Sequence, residues 1–74
     1  MLTAKQLLDK EYLETRCALI EIAAMMDRYD RAGGDEQDEA DPRVQQIYQA
    51  LDLLASPQAT ANRSEQLLNL FSDD

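Results

Sequence analysis

Apolar residues recur at alternating intervals of four and three along the first thirty residues of the chain, which predicts a long amphipathic helix. A heptad spacing held over three repeats is typical of a coiled-coil seam. Thr3 and Gln6 have the T-x-x-Q spacing of a capping box, and Gly33 and Gly34 suit a helix end, so we predict a helix over about residues 3–32. The seam consists of Leu8, Tyr12, Thr15, Leu19, Ile22, Met26 and Tyr29.

A second apolar stripe lies beside this seam, so the middle of the helix is apolar on nearly every side. Between Cys17 and Met26 the only charged residue is Glu21. A helix that is apolar all round has to be covered all round. The remainder of the chain is too short to cover it all, so we expect a second chain to do so and Cys17 to be buried and unreactive. The second stripe consists of Leu13, Arg16, Ile20, Ala23 and Asp27.

The rest of the chain predicts an acidic linker over residues 33–41 and two shorter helices. Asp41 and Pro42 form a helix start, with Asp suited to the N-cap and Pro to the first turn, and apolar residues at helical spacing follow over about 42–56. Asn62 and Glu65 resemble a second capping box that opens a helix over about 62–71. The fold class is therefore all-α, a single domain over 1–74, arranged as a helical hairpin or three-helix bundle. We expect it to assemble into a dimeric bundle.

Composition agrees with a small helical protein and restricts its partners. The chain has 74 residues, 45% of them apolar but only 5% aromatic, and its formal net charge is −8. A polyanion repels phosphate groups, so we expect neither direct nucleic-acid binding nor membrane binding, whereas a basic protein partner is allowed. The single cysteine excludes an intrachain disulfide. The sequence shows no secretory signal, and we expect a cytoplasmic protein.

Few residues in the chain could carry chemistry. There is no histidine, no Gly-rich phosphate loop and no C-x-x-C pair, so we predict no catalytic residue, no metal site and no cofactor. Glu14 and Glu21 lie about 10 Å apart along the predicted helix, which is too far for both to bind one metal ion. Two alternatives remain: a carboxylate-based metal protein or small enzyme subunit using Glu14 and Glu21, and an acidic inhibitor that mimics nucleic acid.

The charges of the first helix favour an antiparallel homodimer. A two-fold axis between Glu21 and Ile22 would place Arg16 opposite Asp27 of the second chain, and Glu14 near its Arg28. We therefore predict a non-enzymatic protein–protein interaction module that self-associates through this helix, with room for a further protein partner. The ten residues of the candidate interface are Leu8, Tyr12, Leu19, Ile22, Met26, Tyr29, Arg16, Asp27, Glu14 and Arg28.

Overall fold

The computed structural model describes residues 1–34, 41–57 and 61–72, and all regular secondary structure in these ranges is helical. The helices are α1 (Ala4–Arg31), α2 (Pro42–Ala55) and α3 (Arg63–Leu70). The predicted all-α fold with three helices is confirmed, and each helix begins and ends within about a residue of its predicted bounds.

Backbone contacts group the chain into two units, Met1–Gln37 and Asp38–Asp74. The first unit contains α1, and the second contains α2 and α3, which contact each other. The single domain and the hairpin or bundle arrangement stay predictions. The predicted acidic linker falls mostly on residues 35–40, which lie outside the described ranges.

Helix α1 begins at the predicted capping box. Thr3 Oγ1 accepts a hydrogen bond from the Gln6 backbone N–H at 3.1 Å, and Gln6 Oε1 accepts one from the Thr3 backbone N–H at 2.9 Å. Two N–H groups that α1 itself leaves without helical partners are thereby satisfied. The 28 residues of α1 extend for about 42 Å.

Two glycines end α1 for different reasons. Gly33 has a φ of +87°, the left-handed conformation that costs other residues about 1–2 kcal/mol. Gly34 lies against the ring of Tyr29, so closely that a Cβ atom at this position would overlap the ring. Gly33 therefore suits the backbone angle of the turn after α1, and any larger residue at position 34 would require the Tyr29 ring to move.

Helix α2 also begins at its predicted cap. The Asp41 carboxylate accepts a hydrogen bond from the Arg43 backbone N–H at 2.9 Å, and Pro42 occupies the first helical position. At the other end, Ser56 Oγ donates to the Asp52 carbonyl at 2.8 Å, and Pro57 follows. Ala50 is the one buried residue of the described ranges, with 8% of its surface exposed.

The predicted capping box of α3 is wrong. Asn62 precedes α3, but its side chain accepts no backbone N–H and instead accepts a hydrogen bond from Gln66 Nε2 at 2.7 Å. Its backbone, with φ −135° and ψ 30°, is not the extended conformation found at Thr3 and Asp41. Arg63 Nη2 also donates to the Ser56 carbonyl at 2.8 Å, which ties the first turn of α3 to the end of α2.

The Asp41 carboxylate at the start of α2 predicts that the stability of this helix depends on pH. The pKa of Asp41 is lowered from 3.8 to about 2 because the Arg43 side chain donates hydrogen bonds to it, the Arg43 backbone N–H adds another, and the guanidinium charge attracts the carboxylate. A lowered pKa in the folded state stabilises the fold above the unfolded pKa, and this stabilisation is lost as pH falls between these two values. We expect α2 to lose helicity in that window, measured by circular dichroism.

The same titration has a direct readout and a matched variant. Carbon-13 NMR of the Asp41 carboxyl group should report its pKa near the lowered value. Asp41→Asn keeps a capping oxygen without the titrating charge, so it should retain α2 and flatten this part of the pH dependence. An Asp41 carboxyl group that titrates at the usual pKa of an exposed aspartate would contradict the prediction.

Candidate functional site

Helix α1 buries none of its residues. Seven large apolar side chains of this one helix are exposed instead. A helix that exposes this many large apolar side chains is a candidate interaction site. The seven are Leu7, Leu8, Tyr12, Leu13, Leu19, Ile20 and Met25.

The predicted seam divides into two halves that differ in exposure. Its N-terminal members Leu8, Tyr12 and Leu19 are exposed, whereas Ile22, Met26 and Tyr29 are half-buried. The exposed half has a shallow apolar depression, and within it Thr15 Oγ1 donates to the Glu11 carbonyl at 2.9 Å, so the one polar residue of the seam is satisfied. The depression is lined by Ala4, Leu7, Leu8, Glu11, Tyr12 and Thr15.

The second stripe is exposed over its whole length. Leu13 is 66% exposed and Ile20 57%. At about 100° of rotation per residue, the stripe lies roughly a third of a turn around α1 from the seam. The ten residues of the candidate interface do not include Leu13 and Ile20, although the predicted two-fold axis between Glu21 and Ile22 brings Ile20 opposite Ala23 of the second chain. This second stripe, called the Leu13–Asp27 stripe below, consists of Leu13, Arg16, Ile20, Ala23 and Asp27, and Cys17 lies at its edge.

The predicted interface charges are exposed and have no ion-pair partner among the described residues. This holds for Glu14, Arg16, Asp27 and Arg28. The same helix does form such a pair elsewhere, between Lys5 Nζ and the Asp9 carboxylate at 3.0 Å. Within the described part of the chain, these four charges are exposed to solvent.

The prediction that Cys17 is buried is wrong, because its side chain is exposed. Cys17 lies at one edge of the Leu13–Asp27 stripe, next to Leu13 and Ile20 on the helix surface, and both of these are exposed as well. The apolar character of its neighbours therefore does not cover the thiol within one chain.

Exposure of Cys17 predicts rapid labelling of the native protein. In dilute solution, a small aromatic disulfide reagent should react with the native chain at the rate seen after unfolding. If a second chain covers the edge of the stripe, labelling should slow as protein concentration rises. The absorbance change on labelling measures both rates, and a Cys17→Ala variant provides the blank. Labelling that needs unfolding even at nanomolar concentration would contradict the observed exposure.

Within the described ranges, the carboxylates form no cluster that could bind a metal ion. Glu14 and Glu21 are exposed, and no three Asp, Glu, Cys or His residues of the described chain lie close enough together to hold a metal ion. None of the three helices, taken over the same residues, is both long and apolar enough to cross a membrane. No protein family, curated protein or solved structure shows significant similarity to this chain.

Proposed function

We propose that the protein is a non-enzymatic helical interaction module that self-associates as a homodimer through α1. The observation that carries this proposal is the exposure of seven large apolar side chains on a helix that buries none of its own residues. Each such side chain, when fully removed from water, contributes about 1.5–3 kcal/mol. A partner that covers even three or four of them per chain gains enough to offset part of the cost of association.

A second copy of the chain suits this surface better than an unrelated acidic protein, because the charges of α1 nearly balance. The net charge of −8 disfavours acidic partners at long range, but α1 itself carries acids and bases in nearly equal number. Two α1 helices can therefore approach without strong repulsion. A further protein partner would have to offer a basic or neutral surface, and a cytoplasmic setting remains a prediction.

The mass in solution tests self-association. Light scattering coupled to size-exclusion chromatography should give twice the chain mass of 8.4 kDa at tens of micromolar, with a shift towards 8.4 kDa on dilution. Raising the salt concentration should weaken the dimer only slightly, because apolar burial supplies most of the affinity and exposed charge pairs supply about 0.2–1 kcal/mol each. A mass of one chain at several hundred micromolar would reject the proposal.

A further inference from the structure

We infer that two copies pair antiparallel along the Leu13–Asp27 stripe, with the two-fold axis level with the midpoint between Glu21 and Ile22. The inference rests on the proposed self-association, keeps the antiparallel direction and the register that the charges of α1 predict, and adds the face of the helix that carries the contact. It commits to a second copy of this chain as the occupant of the stripe.

The exposed stripe is self-complementary under two-fold rotation. In an isologous contact, residue i of one chain faces residue j of the other, and j faces i. With this axis, Arg16 faces Asp27 of the second copy, and the same pair recurs on the other side. Both residues are exposed, so the contact forms two new ion pairs and breaks none that joins two described residues.

Between the two charge pairs lies an apolar centre. Ile20 faces Ala23 of the second copy, again twice, and the small alanine side chain allows the helices to approach closely. Paired helices pack at about 8–10 Å between axes, with smaller side chains at the contact giving the shorter distance. Leu13 and Cys17 extend the apolar surface on the N-terminal side of this centre, and Leu19 flanks it.

A parallel pair along the same stripe is unfavourable. In register, it would place Arg16 beside Arg16 and Asp27 beside Asp27, so that both charges of each chain meet like charges. Opposing like charges is costly and suppresses the wrong arrangement. The antiparallel pair converts the same four charges into two attractive contacts, so the charges select the direction while Ile20 supplies apolar contact area.

Helix geometry removes Glu14 and Arg28 from this contact. At about 100° per residue, Glu14 projects roughly 160° around α1 from Arg16, and Arg28 projects roughly 100° from Asp27. The sequence-based pairing of Glu14 with Arg28 therefore cannot close in the same two-helix contact as the pairing of Arg16 with Asp27. Ile22 also projects away from the stripe and is already half-buried.

The distance between equivalent residues tests the direction. A spin label on Lys5→Cys, in a Cys17→Ala background, is far from the stripe and leaves its charges intact. In the proposed pair the two labels lie about 50 Å apart, because they are separated by roughly 33 residues at 1.5 Å each. Double electron–electron resonance should give that distance. A distance under about 20 Å in a sample of dimer mass would overturn the antiparallel pairing and leave self-association standing.

Charge reversal tests the register. Arg16→Glu places the new carboxylate opposite the Asp27 carboxylate of the second copy, and this happens twice in each dimer. The dissociation constant should therefore rise about tenfold or more. Adding Asp27→Arg reverses both members and should recover most of the loss, with circular dichroism verifying that α1 remains helical. If the double variant has a dissociation constant as high as that of Arg16→Glu alone, this register is wrong. If the unmodified chain has the mass of a monomer, the proposed function itself is overturned.

Discussion

Ile20→Glu is expected to make the protein monomeric at concentrations where the unmodified chain is a dimer. Ile20 is 57% exposed in the single chain, so a carboxylate there stays in water and α1 keeps its helicity. In the antiparallel pair the two new carboxylates lie near the axis, and an unpaired charge in a covered interface costs several kcal/mol. We expect the dissociation constant to rise more than about 100-fold, measured by sedimentation velocity.

Leu8→Glu is the matched control for this prediction. Leu8 lies on the same helix, is 61% exposed and belongs to the seam rather than to the Leu13–Asp27 stripe. The substitution has the same chemistry and nearly the same effect on the free chain, but it should leave the dissociation constant almost unchanged. If Leu8→Glu dissociates the dimer and Ile20→Glu does not, the seam is the interface.

The helix bounds could be predicted from the sequence because the signals that set them are local. Thr3 and Gln6 are three residues apart, and Asp41 is two residues from Arg43, whose backbone N–H donates a hydrogen bond to the Asp41 carboxylate. The side chain of the first residue reaches the backbone N–H of the second whenever a helix begins directly after the first residue. Asn62 has the same kind of spacing to Glu65, but its side chain bonds Gln66 instead, in a backbone conformation that residue type alone does not reveal.

The exposure of the candidate interface could not be predicted in the same way. Leu8 and Met26 project to the same side of α1, yet Leu8 is exposed and Met26 half-buried. Periodicity assigns a residue to a face of the helix, but it does not give the exposed fraction of that residue. The apolar neighbours of Cys17 therefore predicted its face but not its exposure in the single chain.

Ala50→Glu is expected to unfold the second unit at a much lower temperature. Ala50 is 8% exposed, so a glutamate there either buries its carboxylate or forces the neighbouring groups apart. Burying an unpaired polar group or overpacking a filled position costs about 1–3 kcal/mol, and an ionised group costs more. For a chain of this size about 1 kcal/mol corresponds to 4–8 °C, so the thermal midpoint should fall by more than about 10 °C by circular dichroism.

Ala55→Glu separates burial from helix chemistry. Ala55 lies on the same helix, is exposed, and undergoes the same change of side chain. Its effect should stay within about 0.5 kcal/mol, as for other surface substitutions. Both variants keep the Leu13–Asp27 stripe, so measuring them at one protein concentration holds any contribution of the dimer fixed. Equal thermal midpoints for the two variants would show that Ala50 is not packed as the structure places it.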